Sequence, residues 1–430
     1  MQEMIQDWSP LAQAGLRVLI LVGTVLSLVP ALIWWERRLL SWMQDRFGPN
    51  RAGTITWKSG KKTTLLWGLI QPILDGIKLF VKEDITPAKI DRKIYFVAPA
   101  IALFPAFALG GTMPFGPKEG LWGLLTPVAD LEVGLLYVLA ISSLGVYGVV
   151  LAGYSSNNKY SMLGGLRAAA QLISYEIAMG VSLLCIVFVA GSLKMTTLVT
   201  QQQEPLWGVV PALQNWFLFT PYGLVAGVIF LICMIAETNR APLDLPEAEN
   251  ELVAGYHTEY SSMKFAVFFM GEYAAMFVFS GIFACVFLGG YNIVPVNWDY
   301  LASTGTAMTG FYSFMASANY WLAPLVFFAK CWGGLTFFIW LRATLPRLRY
   351  DQLMSLGWKT LLPVAVANFI VVGIWLIASD AYGVTGGWAA FGASVAILGV
   401  LYFNLLHWRK QGLAGTEKRS VVLVDPAKPN

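Results

Sequence analysis

Residues 217–236 read FLFTPYGLVAGVIFLICMIA, twenty positions without a charge, and residues 236–260 read AETNRAPLDLPEAENELVAGYHTEY, six carboxylates against the single Arg240. A helix crosses the hydrocarbon core of a bilayer with roughly 20 predominantly apolar residues. The first stretch therefore predicts a membrane crossing, and the second an acidic loop at its end. Eight further runs of the first kind fall near 14–35, 94–113, 133–153, 171–193, 264–289, 321–341, 360–378 and 386–407. The last of them is rich in Gly and Ala. The expected fold class is all-α: a polytopic transmembrane helix bundle of about nine helices, with no internal repeat.

Composition agrees. The chain has 430 residues, 57% of them hydrophobic and 13% charged, with a net charge of +4. Soluble domains average about 25% charged, and no soluble fold of this length buries so much apolar surface. Seventeen Trp and seventeen Tyr suit two membrane–water interfaces. Residues 1–9 carry Glu3 and Asp7 and no basic residue, unlike the positive start of a secretory signal, so the first run is expected to stay as a helix. Cys185, Cys233, Cys285 and Cys331 all lie within apolar runs without CxxC spacing, and read as small core residues. His257 and His407 are the only histidines, which excludes a His-rich metal site.

The positive charges fix an expected orientation. Residues 37–93 hold twelve of the 29 Lys and Arg, and the loops alternating with that stretch hold most of the others. Basic loops face the cytoplasm. This places the N-terminus outside, and the basic tail (Arg409, Lys410, Lys418, Arg419, Lys428) inside if the ninth helix crosses. In the long first inside loop Leu66, Leu69, Ile70, Ile73, Ile77 and Phe80 recur at helical spacing, with Asp75, Lys78 and Lys82 on the other face. This predicts an amphipathic helix on the membrane surface, bent at Pro72.

Three constellations carry candidate chemistry. In the acidic loop, Pro246 can open a short helix that sets Glu247 and Glu251 on one face, where like charges cost about 0.2–0.5 kcal/mol. Crowded carboxylates titrate as a coupled group, the property needed to hold and pass protons. A solvated loop, or one docked on a basic partner, is an equal reading of the loop alone. The second set is acids within or beside the spans: Glu176, Glu272, Glu36, Glu237, Asp130 and Glu132. Ionisable groups at that depth are expensive and usually face a wet interior. Glu237, Glu259, Glu272 and Glu176 are expected to cluster in the inner half as a proton route. Interfacial snorkelling explains Asp130 and is open for Glu36. The third set is basic: RFGPNRAG at 46–53, with a turn at Gly48-Pro49-Asn50, and RATLPRLRYDQ at 342–352. Lys330, in mid-span, is expected to pair with a carboxylate. No GxGxxG follows a strand. Gly53 and Gly60-Lys61 are separated by six residues where a phosphate loop needs four. No haem or iron–sulfur ligand set is present, so no redox centre is expected in this chain.

Six segments, in order, resemble one family: WWERR at 34–38, RFGPNRAG, QPILDGIKLFVKE at 71–83, NNKYSMLGGLRAAAQLISYE at 157–176, the acidic loop continuing as SSMKFA, and RATLPRLRYDQLMSLGWK at 342–359. The chain resembles the H subunit of respiratory complex I, the proton-pumping NADH:quinone oxidoreductase, over roughly residues 15–378. The resemblance implies a subunit of the cell inner membrane that joins the membrane arm to the redox arm. Its partners would be the soluble quinone-site subunits, the membrane-arm subunits, lipid and quinone, with no nucleic acid. NADH, FMN and iron–sulfur clusters would belong to partner subunits, and quinone would be the substrate. It further implies that Arg37, Arg46, Asp75, Arg342, Arg347 and Arg349 line the quinone chamber. Glu176, Glu237, Asp244, Glu247, Glu249, Glu251, Glu259 and Glu272 would couple quinone reduction to proton translocation. The equivalent subunit of a ferredoxin-linked complex or a membrane-bound hydrogenase shares the class, but the full PEAENELVAGYHTEYSS run favours the quinone-reducing branch. Leu243 departs from the Phe common at that position of the family. Residues 379–430 extend past the usual eighth helix, which predicts a domain 1–378 and a C-terminal extension.

Overall fold

A computed structural model of the chain describes residues 10–50, 54–56, 62–64, 68–117, 127–206, 210–245, 253–304 and 308–416. The elements are almost all helices. In order they are α1 Pro10–Met43, α2 Ile70–Val81, α3 Arg92–Gly110, α4 Gly134–Ser155, α5 Lys159–Ala190, α6 Met195–Gln201, α7 Pro221–Glu237, α8 Ser262–Phe287, α9 Trp298–Ser303, α10 Thr309–Thr344, α11 Tyr350–Leu356 and α12 Leu362–Thr416. A π-helical turn, Gly357–Leu361, joins α11 to α12. Two antiparallel two-stranded ribbons complete the set: β1 Thr54–Thr56 with β2 Lys62–Thr64, and β3 Pro205–Leu206 with β4 Val210–Gln214.

Seven of these helices are long and apolar enough to cross a membrane: α1, α3, α4, α5, α8, α10 and the stretch Tyr350–Gly383. The apolar α7, at 17 residues, is shorter. Together they occupy the first eight of the expected runs. The ninth run falls in the part of α12 beyond Gly383. The outer surface is what a bilayer requires, since Leu19, Phe104, Leu136, Tyr147, Phe188 and Leu325 are all exposed. In water such a surface would be a large aggregation liability.

Two compact units divide the chain at Asn368/Phe369. In the first, consecutive helices pack as neighbours, α3 on α4, α4 on α5 and α5 on α7, while α8 touches α1, α2, α3, α6, α7 and α10. The core therefore centres on α8, where Phe277, Val278, Ile282, Cys285 and Phe287 have no exposed surface. The four cysteines are buried there and on the adjoining helices as free thiols. The second unit, Phe369–Asn430, contains most of α12, interrupted at Gly383 (φ 75°, ψ −177°).

Two local expectations need correction. The surface helix begins at Ile70, so Pro72 sits in its first turn, where its missing N–H costs nothing; no bend is required. Ile73, Ile77 and Phe80 are exposed on the expected apolar face. α1 closes just ahead of the expected turn, where Pro49 sits in a bend. Asp45 takes a left-handed conformation (φ 52°), and the Arg46 N–H donates to Ser41 O at 2.8 Å, the usual way a helix end satisfies its last carbonyls. Arg51–Gly53 lie outside the described residues. Finally, among the described residues Lys330 meets carbonyls rather than a carboxylate. Its Nζ donates to Leu288 O at 2.5 Å and Gly290 O at 3.0 Å, and lies 4.1 Å from the Trp216 ring centroid. Leu288 caps α8, whose last carbonyls have no helical partners and form the negative end of the helix dipole. The cation therefore finds its counter-charge in backbone.

Candidate functional site

The acidic loop is anchored before it begins. Gln171 of α5, with no exposed surface, donates from Nε2 to Ala236 O and Leu243 O, both at 2.7 Å. Asn239 is left-handed (φ 50°), which closes α7 and turns the following residue inward. That residue is Arg240, only 8% exposed.

Arg240 is the centre of an alternating buried series. Its Nη1 lies 3.9 Å from Glu36 Oε1 at the end of α1, and its Nη2 lies 3.9 Å from Glu272 Oε2 on α8. Its guanidinium stands 4.3 Å from the centroid of Tyr273. Tyr273 Oη donates to Glu36 Oε2 at 2.6 Å, and Tyr256 Oη donates to Glu272 Oε1 at 3.0 Å. Arg342 of α10 makes a short ion pair with Glu36. Glu36, 6% exposed, is thus not a snorkelling residue. It is held by a cation on either side and a phenol.

From Glu272 the series opens into a cavity of about 80 Å³, lined also by Glu237, Thr238, Asn239, Leu172 and Tyr256. Glu237 Oε2 is buried and makes no hydrogen bond. Glu176 of α5 lies near it. One water needs roughly 10–15 Å³ of such space and a few polar partners, so this cavity has room for several. Glu237 and Glu272 share this cavity, and Glu176 lies near Glu237.

Glu259 stands apart from them. Its Oε1 accepts from Asn158 Nδ2 at 2.7 Å, beside an open pocket with Lys89 and Lys159 on its wall. Its backbone carbonyl accepts from Tyr95 Oη at 2.7 Å. Next to it Tyr260 stacks on Tyr95 at 4.2 Å, and burial pushes the Tyr260 phenol up to about 12. Glu247, Glu249 and Glu251 lie outside the described residues.

The basic segments divide as well. Arg37 pairs with Asp75 of α2 at 2.6 Å, and Gln71 Nε2 holds the other Asp75 oxygen at 3.0 Å. Arg347 pairs with Asp244 at 2.7 Å, and the Leu348 N–H donates to Pro242 O at 3.2 Å. The 345–349 loop is thereby fastened to the acidic loop. Tyr175 Oη adds a bond to Leu353 O at 3.0 Å. Arg46 is exposed and contacts Gln44. Arg349 is exposed, with its backbone N–H on Gln352 Oε1 at 3.2 Å. On the opposite end of the bundle Asp130 and Glu132 meet Lys194 at 3.6 and 2.5 Å. The Glu132 hydrogen bond raises the hold of that ammonium on its proton.

Sequence reasoning overlooked Arg240, Tyr256 and Tyr273, and undervalued Glu36. One signal was available: a lone Arg following a span end, in a loop otherwise acidic, is the natural partner for carboxylates inside that span.

The model of the NADH dehydrogenase family matches residues 16–373. An H subunit of NADH-quinone oxidoreductase from Geobacter metallireducens is 44% identical over 364 residues, covering 84% of this chain and 95% of the relative. The corresponding H subunit from Thermomicrobium roseum is 43% identical over 370 residues, covering 86% and 97%. That from Flavobacterium psychrophilum is 42% identical over 347 residues, covering 80% and 91%. With the helices, the charged loops and these relatives in agreement over most of its length, the chain belongs to the NADH dehydrogenase family.

Proposed function

We propose that this chain is the quinone-facing membrane subunit of a proton-translocating NADH:quinone oxidoreductase in the cell inner membrane, with soluble and membrane-arm subunits as partners. The relatives' names support the assembly, quinone as the substrate, and redox cofactors in the other subunits. In this reading Arg37, Arg46, Asp75, Arg342, Arg347 and Arg349 border the quinone chamber. Glu176, Glu237, Asp244, Glu247, Glu249, Glu251, Glu259 and Glu272 answer the charge change of quinone reduction.

The observation that carries the reading is the series that runs from Arg342 at the surface through Glu36 and Arg240 in the interior to Glu272, opening on the cavity where Glu237 Oε2 has no hydrogen-bond partner. Charges alternate along it. Protonation at one carboxylate releases its neighbouring arginine to pair more strongly with the next. The chain's residues thus relay a charge change from the basic loops to the cavity bordered by Glu237 and Glu272, without carrying electrons. Asp75 holds Arg37 and Asp244 holds Arg347 in fixed positions at the loop end.

The test uses Glu237→Gln and Glu176→Gln in the whole complex in membrane vesicles. Quinone reductase activity and proton uptake should both fall several-fold. NADH oxidation by a water-soluble artificial acceptor should stay intact, since it bypasses quinone. Full pumping and full quinone reduction in both variants would sink the proposal.

A further inference from the structure

The family match ends at residue 373, and helix α12 continues well past it, to Thr416. Residues 384–406, VTGGWAAFGASVAILGVLYFNLL, hold no charge over 23 positions, and Arg409 and Lys410 follow. At 1.5 Å per residue this segment is about 34 Å long, enough for a hydrocarbon core of about 30 Å.

The geometry within the second unit shows that this segment does not extend the helix before it. Trp375 and Trp388 are thirteen positions apart, which in a straight helix is a rise of about 20 Å. Their ring centroids are 5.7 Å apart. A Cβ on Gly387 would collide with Ser379 Oγ and lie 3.2 Å from Ser379 Cα, although eight helical residues rise about 12 Å. The chain therefore folds back between Ser379 and Gly387. The reversal is at Gly383, whose φ of 75° and ψ of −177° form a combination essentially confined to glycine. Gly387, having no side chain, allows the two arms to touch at the fold. Close backbone approach at small residues is how helices pack inside lipid. Beyond the fold, Ile374, Ile377, Val395 and Ile397 are exposed, an apolar exterior on both arms.

We propose that residues 369–416 form a transmembrane helical hairpin turned at Gly383, whose second arm is a ninth crossing that ends on the same membrane side as the acidic loop. The sidedness follows from the first arm. Its helix begins at Tyr350, directly after the 345–349 loop that is fastened to Pro242 and Asp244 of the acidic loop. A crossing from there ends on the opposite side at Gly383, and the second arm returns. Arg409 and Lys410 then emerge where basic residues favour anionic lipid headgroups. An uncharged second arm lying in the interface instead would leave its apolar surface half in water, with no polar face to offset it.

The experiment places single cysteines in the assembled complex in sealed vesicles of known sidedness and labels them with a membrane-impermeant maleimide. Exposed Lys82 and Glu204 supply the two reference sides: the Lys82 and Leu79 carbonyls accept from Ser262 Oγ just after the acidic loop, and Glu204 lies between α5 and α7. The native cysteines are buried. Thr416→Cys should label with Lys82→Cys, and Asp380→Cys with Glu204→Cys. A protease-cleavable tag after Asn430 should be cut from the Lys82 side, and deleting residues 384–406 should move its cleavage to the Glu204 side. Labelling of Thr416→Cys from the Glu204 side, or a tag whose cleavage side is unchanged by the deletion, overturns the ninth crossing.

Discussion

Replacing Arg240 with Met tests the buried series most directly. Arg240 stands 3.9 Å from Glu36 and 3.9 Å from Glu272, at 8% exposure. At an effective dielectric near 20, each pair at such a separation is worth about 4 kcal/mol. Desolvation offsets much of that while the pairs are intact, but removing one partner leaves the other buried and uncompensated, at a typical cost of about 3–5 kcal/mol. Glu36 keeps a second cation in Arg342 as well as the Tyr273 phenol, whereas Glu272 keeps the Tyr256 hydroxyl. The penalty should therefore concentrate on Glu272. Arg240→Met alone should sharply lower the thermal stability of the solubilised complex, read as the fraction still assembled by size exclusion after heating. Adding Glu272→Gln should recover most of that loss, because it removes the carboxylate charge that faced Arg240 while a hydrogen-bonding group remains for Tyr256. Glu36→Gln in the same background should recover less. If the double variant with Glu272→Gln is no more stable than Arg240→Met alone, the pairing is energetically idle and the reasoning fails.

Arg347→Ala breaks the 2.7 Å pair with Asp244 and should weaken quinone-site inhibitors several-fold; superimposable inhibition curves would count against a chamber role. Gly164→Ala places a Cβ 2.8 Å from Tyr256 N and 2.9 Å from Gly255 C, both backbone atoms that cannot swing aside. It should shift Tyr256 off Glu272 and reduce quinone reductase activity more than Gly76→Ala, where a Cβ meets nothing within 4 Å. Lys330→Met removes the cap of α8 and the Trp216 contact, each worth about 1–2 kcal/mol. It should lower the heat resistance of the complex while leaving the inhibitor response unchanged.

Much of the fold was legible because lipid imposes a strict rule: backbone polar groups must pair within a helix, so uncharged runs of the right length translate directly into crossings. The surface helix was legible from the spacing of Ile73, Ile77 and Phe80. Its start was not, because a proline reads as a bend until the helix boundary is known. The site was legible as a set of acids but not as a circuit. Arg240 belongs to a loop in sequence and to the interior in space, and only the turn at Asn239 reveals that. Lys330 was misread for a related reason. A charge in a span suggests an opposite charge, but the exposed carbonyls of a neighbouring helix end cannot be seen in a string of side chains. Gly383 shows the same limit, since the string of residues does not say which of Gly383, Gly386 and Gly387 turns the chain.

The central position of α8 bears on how such a chain is made. It is among the least apolar of the seven long candidate crossings, and a larger share of it is buried than of any of the others. It also carries Glu272. A helix of this kind partitions poorly into lipid alone, because each ionisable residue near mid-span costs a few kcal/mol on insertion scales. Of the helices it packs on, α1, α2, α3, α6 and α7 precede it and α10 follows, so most of its scaffold is in place when it leaves the ribosome. Arg240 also precedes it and can neutralise Glu272 at entry. The order of segments along the gene is thus itself a provision for biogenesis, and a circular permutant that synthesised α8 first would be expected to meet quality-control proteolysis before it met its partners.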